Sequence, residues 1–324
     1  MGKNKYIKIL VIILGILLII LIPILLLRGR DQVKYPDKPI PFNQLKKSEL
    51  DLNISELRNF SETDLDSYRI EDTNRIQIIE SIIEKMSLSL KKEEYNEGDL
   101  IIWKNAYDSF NYDSITGVLI FDLSKSISIY EGEESFSEFH LKYLEEDIKF
   151  VISKIEKSTD GETWYYASRL IEDIPVQLGY GKEYSDILVF NSKGELKGGT
   201  VLLVNTTREE YVVPIISKNE LTKYLESKGY PKESYINFSV LNSFIDDTPY
   251  SFSSWGEDVI DEVYKCVGSE IEIIYLYKSI NQSNLLPVYK IYASCDLEYK
   301  GRVFDIPATY YVNAVDPKYL TYTD

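Results

Sequence analysis

Few side chains in this 324-residue sequence could act as nucleophiles or as soft metal ligands. The chain has one histidine, His140, and only two cysteines. Hydrolases with a serine or cysteine nucleophile usually need a histidine base, and a zinc site needs more His and Cys than this chain offers. His140 lies between Phe139 and Leu141 in a predicted helix, away from other ligands. We therefore expect it to be structural or exposed, and we predict neither a metal site nor a cofactor.

The two cysteines, Cys266 and Cys295, form an even pair, which in an exported domain favours a disulfide. Residues 281–284 resemble the turn of a hairpin. In that register Cys295 faces Glu270, four positions from Cys266. A disulfide then requires the chain before Glu270 to fold back, or a bulge to shift the register. A disulfide and two free buried thiols are both open alternatives at this stage.

The 52 acidic residues supply many candidate acids, but their spacing identifies no site. Pairs such as Asp246-Asp247 and Glu145-Glu146 could serve acid–base chemistry or bind Ca²⁺. No loop has the EF-hand order of ligands, and the two carboxylates of a glycosidase meet only in the folded protein. Phosphate-binding and nucleophile-elbow motifs are also absent from the sequence. We expect these pairs on a solvated surface and predict no catalytic residue.

Aromatic side chains are the other candidates, because the chain contains 27 tyrosines. They cluster in the strand-like segments 164–166 (WYY), 275–277 (YLY) and 310–311 (YY). Such segments could stack on sugars or peptides. Tyrosine also favours strands, where it packs against neighbours in the sheet. Sheet packing is the expected role, with a binding surface as the alternative.

Charge excludes several partners. Residues 1–30 contain five basic and no acidic side chains, so residues 31–324 carry −16 − 5 = −21. Nucleic acid requires a basic surface, and anionic lipid would repel this domain. We therefore predict no nucleic-acid partner.

The N-terminal region predicts a membrane anchor. Residues 9–27 are nineteen consecutive uncharged residues, about the length that spans a bilayer as a helix. The residues that follow, 28–31 (RGRD), make a poor site for signal-peptide cleavage, and the first alanine is Ala106. We predict an uncleaved single-pass helix at 9–27 and a short cytoplasmic tail at 1–8. The basic start favours a large domain outside the cytoplasm at the plasma membrane. The opposite orientation is the alternative, because lysines and arginines flank both ends of the run.

Periodicity and turn residues then predict an α+β fold of antiparallel sheets packed with a few amphipathic helices. Helices are predicted at 74–88, from a capping box at Ser135 through 155, and from a capping box at Ser217 to Gly229. Strands are predicted at 100–103, 117–121, 126–130, 163–168, 187–190, 198–204, 270–277, 285–293 and 304–315.

The predicted domain organisation follows from these elements. Pro36, Pro39 and Pro41 fall in a polar stretch with no periodic apolar face, which predicts an extended stalk over 28–66. A first α+β module is predicted at 67–160. A second, β-rich towards its C-terminus, is predicted at 161–324.

Residues 187–315 have the order strand, glycine turn, strand, capped helix and long hairpin. The hairpin contains 286–290 (LPVYK), and the last strand contains 309–314 (TYYVNA). Together with the single anchor, this order resembles the YycH/YycI type of membrane-anchored regulators of sensor kinases, which carry PepSY-like modules outside the membrane. The resemblance implies a non-enzymatic interaction or regulatory protein with a protein partner at the membrane. The alternative is an anchored hydrolase that acts on cell-wall glycans or peptides through carboxylates.

Overall fold

The computed structural model describes residues 36, 40–43, 52–54, 64–71, 73–95, 98–129, 131–179, 183–226, 232–236, 262–299 and 302–323. Among these residues, no helix is both long enough and apolar enough to cross a bilayer. The predicted anchor at 9–27, Gly229 and the pair Asp246-Asp247 lie outside the described residues.

The described part of the chain is rich in strands and has few helices. The strands are β1 (Ile40–Asn43), β2 (Leu52–Asn53), β3 (Leu65–Ile70), β4 (Lys91–Tyr95), β5 (Leu100–Lys104), β6 (Ser109–Asp113), β7 (Val118–Ile127), β8 (Lys149–Lys157), β9 (Thr163–Ile171), β10 (Ile174–Leu178), β11 (Asp186–Phe190), β12 (Leu196–Leu202), β13 (Thr206–Val213), β14 (Lys232–Ile236), β15 (Glu262–Tyr277), β16 (Asn284–Leu285), β17 (Pro287–Tyr299), β18 (Arg302–Asn313) and β19 (Leu320–Thr323). The α-helices are α1 (Arg75–Lys85), α2 (Ser135–Phe139) and α3 (Lys218–Glu226).

One large sheet organises these strands. Its order is β14-β18-β17-β15-β10-β9-β11-β12-β7-β6-β5-β4, with β2 added to β15 and β8 added to β9. Pairing in this sheet is antiparallel except where β15 meets β10 and β2. A three-stranded sheet, β13-β3-β16, and the parallel pair β1-β19 complete the set. The predicted α+β class with mainly antiparallel sheets is confirmed.

Two large cores pack against different parts of this sheet. The first, which we call the phenylalanine core, is built from α1, α2 and the strands from β5 to β12. Its largest fully buried side chains are Phe110, Phe121, Phe136, Phe139 and Phe190, and it also buries Trp103, Tyr112 and Tyr143. The second, which we call the tyrosine core, lies under α3 and the strands β15, β17 and β18. It buries Tyr289, Tyr310 and Tyr311.

Several local predictions are confirmed. The side chain of Asn74 caps α1 by accepting a hydrogen bond from the backbone N–H of Gln77 at 3.3 Å. Ser217 and Glu220 form the predicted capping box before α3, because each side chain accepts from the other's backbone N–H. The turn between β11 and β12 ends at Gly194 in the left-handed region, with φ of +74°. These motifs are local, so sequence alone specifies them.

The long second helix is a wrong prediction. α2 ends at Phe139, and one π-helical turn, His140–Leu144, follows it. Glu145 then adopts φ of +61° and ends the helix. The segment that follows forms β8, where β-branched Val151 and Ile155 fit a pleated strand. Ser135 is also not the cap, since its hydroxyl donates to the carbonyl of Gly132, at 2.7 Å.

The two short strands predicted at 117–121 and 126–130 are in fact one strand, β7. Leu119, Phe121 and Leu123 alternate inward along it, and β6 and β12 pair with it on either side. The polar residues that suggested a turn point outward from a continuous strand.

Parts of the predicted stalk belong to the folded domain. β1 pairs with β19, and β2 pairs with β15 beside Cys266. Leu52 and Ile54 are buried in the tyrosine core. An extended spacer is therefore wrong for 40–43 and 52–54, whose apolar stretches are too short to show periodicity. The predicted boundary at 160/161 falls in the hairpin between β8 and β9, inside the large sheet.

Candidate functional site

A groove lies between two pairs of strands of the large sheet. One wall is formed by β8 and β9, and the other by β17 and β18. Its cavity volume is about 830 Å³. Four tyrosines and four serine or threonine residues line it, among other residues: Tyr166, Tyr184, Tyr292, Tyr311, Ser153, Ser269, Ser294 and Thr309. We call it the Lys290 groove, because a buried lysine lies at its base.

Lys290 is 1% exposed, which is unusual for a lysine. It lies on β17 opposite Glu272 of β15, and Nζ is 3.0 Å from Glu272 Oε1. Nζ is also 3.2 Å from Oε1 of Glu183, and it lies 4.6 Å from the centre of the Tyr292 ring. A buried cation requires such partners. The lysine therefore fixes two carboxylates at the groove.

The tyrosine hydroxyls of the groove are hydrogen-bond donors. Tyr292 donates to Glu272 Oε1 at 2.7 Å, and burial together with this carboxylate raises the pKa of Tyr292. Tyr166 donates to Glu156 Oε2 at 2.6 Å. Burial and Glu156 raise the pKa of Tyr166 to about 12, and hydrogen bonds from Lys154 and Tyr166 lower the pKa of Glu156. At neutral pH the groove thus presents neutral phenols beside ionised carboxylates.

Aromatic faces extend the groove along the sheet. The rings of Tyr166 and Tyr184 lie 5.2 Å apart at 59°. Trp164 is two residues from Tyr166 on β9, so it lies on the same face, and it is 36% exposed. On the same face of β7, Ile120 is 51% exposed. The surface therefore continues beyond the groove with apolar character.

The three aromatic segments of the sequence divide between packing and the groove. Tyr275, Tyr277 and Tyr310 are buried in cores, as expected for strand tyrosines. Tyr165 packs edge-on against Phe190. Their neighbours from the first and third segments, Tyr166 and Tyr311, line the groove, and Tyr311 is at the same time buried in the tyrosine core.

Lys290 was missed by the sequence analysis. It is the only charged residue between Leu285 and Cys295, in the run LLPVYKIYASC. A single charge within an apolar strand indicates a buried and partnered group. The partners themselves could not be found, because Glu183 lies on a loop 107 positions away.

His140 is buried, which agrees with a structural role, but it has acidic neighbours. Its Nδ1 is 3.0 Å from Glu146 Oε2, and its Nε2 is 3.4 Å from Asp186 Oδ1. The two members of the pair Glu145-Glu146, both predicted to be solvated, therefore lie in different surroundings. Glu145 pairs with Lys85 at 2.7 Å on the surface, whereas Glu146 turns inward to the histidine.

Asp186 connects His140 to Arg169. It is fully buried, and its Oδ1 accepts from the backbone N–H of Leu202 at 3.1 Å. Its Oδ2 lies 3.8 Å from Arg169 Nε and accepts from the hydroxyl of Ser185. Burial alone raises the pKa of Asp186, but Arg169 and His140 hold it below its usual value. The network is a structural ion pair inside the phenylalanine core.

Cys266 and Cys295 are joined by a disulfide. They lie directly opposite each other on β15 and β17. The predicted register is wrong because the hairpin loop is wider than four residues: Tyr275 pairs with Pro287, a shift of three positions. A bulge between Gly268 and Glu270 adds the fourth.

Comparison with known proteins gives a distant structural likeness and no activity. No protein-family model matches the chain, and no functionally curated protein matches it. The chain is similar to a solved structure described as an uncharacterized protein from Eubacterium rectale ATCC 33656, with a TM-score of 0.41 and 12% identity. The alignment covers 82% of this chain and 87% of that chain. Among the described residues, no group of three or more His, Cys, Asp or Glu side chains is arranged to hold a metal.

Proposed function

We propose that this chain is a non-enzymatic interaction or regulatory protein that binds a partner protein through the Lys290 groove. Residues 9–27 anchor it in the plasma membrane, and the folded domain lies outside the cytoplasm. The apolar run supports the anchor, and the Cys266–Cys295 disulfide is typical of an oxidising compartment. The order of elements supports a regulator of the YycH/YycI type.

The observation that carries the proposal is the state of the carboxylates in the groove. Hydrolysis by a pair of carboxyls needs one protonated and one ionised group. Glu183 and Glu272 instead both form an ion pair with the ammonium group of Lys290, at 3.2 and 3.0 Å. This arrangement suits recognition and does not suit proton transfer.

The lining also indicates the kind of partner. Tyrosine and serine are enriched in antibody binding loops, where the first gives rigid contact area and the second gives adaptable hydrogen bonds. Glu156, Glu183 and Asp305 outnumber Lys154 and Lys290 in the groove. The partner segment that fits is therefore basic and extended.

A crosslinking experiment tests this function. The full chain carries a photo-crosslinking amino acid in place of Tyr184 and is irradiated in its own membrane. We expect one defined adduct, which Lys290→Met removes because Glu183 and Glu272 are then unpaired. Lys318→Met is the matched control: this lysine pairs with Asp316 outside the groove, so the adduct persists.

Two outcomes contradict the proposal. One is an adduct that is equally strong in the Lys290→Met chain. The other is hydrolysis of purified cell-wall material by the wild-type chain that Lys290→Met abolishes.

One observation favours the alternative of a carboxylate hydrolase. Glu172 and Asp66 share a hydrogen bond, and this bond and burial raise the pKa of Glu172. Arg208 holds both groups, at 3.4 Å from Glu172 and 2.7 Å from Asp66. These residues do not line the Lys290 groove. Asp66→Asn should abolish any cell-wall hydrolysis by this pair and leave the Tyr184 adduct intact.

A further inference from the structure

A second cavity lies beside β10, the strand that pairs with both β9 and β15. Its volume is about 350 Å³. Most of its wall is apolar, with Ile171, Val176, Leu202, Val204 and Leu285 among the residues. We call it the Leu285 pocket. Cavities of this size with apolar walls and few polar groups are typical small-molecule sites.

Arg169 lines the pocket, but its charge is compensated. Its Nη1 and Nη2 donate to the carbonyls of Val204 and Leu202, at 2.9 and 2.5 Å. The carboxylate of Asp186 lies 3.8 Å from Nε. An anionic ligand would therefore meet a guanidinium that already has an acid and two carbonyls as partners.

Two other charged groups on the wall are acidic. Glu146 binds His140 through one oxygen, and its side chain is 20% exposed. Glu71 accepts from the hydroxyl of Thr207, and Arg75 binds the backbone carbonyl of Glu71, not its carboxylate. Within the described residues, neither glutamate has a lysine or arginine partner for its carboxylate.

Several glutamates elsewhere in the molecule do have a lysine partner. Glu145, Glu162 and Glu183 each pair with a lysine. Partly buried carboxylates without a lysine or arginine partner, at an apolar cavity, favour a ligand that supplies the cation.

We propose that the Leu285 pocket binds a small organic amine: an ammonium group held by Glu71 and Glu146, with an apolar body against the aliphatic walls. A cavity of about 150 Å³ takes a benzene ring, so this one has room for on the order of ten non-hydrogen atoms. The site is separate from the Lys290 groove and does not depend on the function proposed for it.

Three probes of one shape test the charge requirement: 2-phenylethylamine, 2-phenylethanol and phenylacetate. The full chain is placed in nanodiscs of uncharged phosphatidylcholine, and empty nanodiscs correct for partition into lipid. Binding is measured by saturation-transfer NMR and by calorimetry. We expect the amine to bind about tenfold more tightly than the alcohol, the factor that one charge-assisted contact provides.

Variants locate the site. Glu146→Gln and Glu71→Gln should each weaken the amine about tenfold and leave the alcohol unchanged. Glu183→Gln, the same change in the Lys290 groove, should change neither. Thr206→Trp places a large side chain at the pocket and should block both probes, with circular dichroism to verify the fold.

Three results would overturn the proposal. Tighter binding of phenylacetate would assign the pocket to anions through Arg169. Equal binding of all three probes, insensitive to the glutamines, would leave only an apolar cavity. No binding of the amine at millimolar concentration would reject the site.

Discussion

The phenylalanine core and the tyrosine core solve the same packing problem with different side chains. In the first, the rings of Phe110, Phe121 and Phe139 stack at 5.5 and 5.4 Å without any polar atom. In the second, buried Tyr289 donates its hydroxyl to the carbonyl of Ile216 at 2.8 Å, and a disulfide links the strands. In the first core the rings stack directly and the buried charges include the His140, Asp186 and Arg169 network, whereas the second adds hydroxyl hydrogen bonds and a covalent link.

This difference corresponds to the groove wall that each core supports. The wall from β17 and β18 presents Lys290 and the tyrosines to the groove, so the core behind it must tolerate polar groups. The wall from β8 and β9 is supported by a core of stacked phenylalanine rings, whose buried charges include the paired network of His140, Asp186 and Arg169. We therefore predict that the two cores respond differently to three changes: the loss of a large side chain, the reduction of the disulfide, and the addition or removal of one hydroxyl.

The largest effect should follow Phe121→Ala. The ring is 2% exposed and stacks on two others, so its loss leaves a cavity that cannot collapse. We expect the free energy of unfolding to fall by about 4 kcal/mol. Urea denaturation of the purified full chain measures it, with Tyr107→Ala as the control, because that side chain is 77% exposed. Equal losses in the two variants would show that the phenylalanine core is not tightly packed.

Asp186→Asn should cost somewhat less at neutral pH, about 3 kcal/mol, because Arg169 loses its buried counter-charge. The pKa of Asp186 is lowered in the fold, so its contribution is present above the unfolded value of about 4 and is lost as pH falls below it. The difference between wild type and variant should therefore shrink in acid.

Denaturation curves at pH 7 and at lower pH provide this test. Asp160→Asn is the control, since this carboxylate also has a lowered pKa but lies on the surface. A deficit of Asp186→Asn that is independent of pH would mean that the carboxylate charge does not stabilise the fold.

Reduction of the disulfide should affect the tyrosine core first. The bond closes a loop across 29 positions, which stabilises the fold by about 3 kcal/mol through the unfolded chain. Hydrogen exchange with and without reductant should show faster exchange of β15 and β17 amides and little change in β5 to β7. The double variant Cys266→Ser, Cys295→Ser should not respond to reductant. Uniform acceleration across both regions would show that the two cores unfold as one unit.

The smallest effects come from exchanging one hydroxyl in each direction. Tyr289→Phe removes the bond to Ile216 and should cost about 1 kcal/mol. Phe110→Tyr adds a hydroxyl to the dry core, where the ring is fully buried, and should cost about 2 kcal/mol. Thermal melts of both variants measure the two effects. If Phe110→Tyr is the milder change, the contrast between the two cores is not one of polarity.

The sequence predicts what is local and misses what depends on distant partners. The start of α1 at Asn74, the cap of α3 and the turn at Gly194 each involve residues within four positions, and all three predictions are confirmed. The segment of β8 has apolar residues that satisfy a helical period as well as a strand. Pairing with β9 makes this segment a strand, and no residue near β8 in the sequence indicates that pairing.

The candidate site shows the same limit. The aromatic segments contain two groove residues, Tyr166 and Tyr311. The sequence alone could not distinguish them from the tyrosines of the same segments that only pack in cores. The Lys290 cluster joins strands and a loop that lie far apart in sequence, so its acids looked like any other among 52. The register predicted for the two cysteines differs from the observed one because the hairpin loop is wider and because β15 has a bulge. Both features are set by tertiary packing.

The pairing of β1 with the last strand shortens the segment that would connect the predicted membrane anchor to the folded domain. If residues 9–27 lie in the bilayer, only residues 28–39, twelve in number, separate the bilayer from the domain. They reach at most about 40 Å, against about 130 Å for a free segment of the length first expected. A membrane-bound partner confined to a hemisphere of that radius faces the domain at an effective concentration on the order of 10 mM. This is some thirtyfold higher than the longer segment would give. A groove of only modest intrinsic affinity would then be occupied almost continuously by a neighbour in the same membrane.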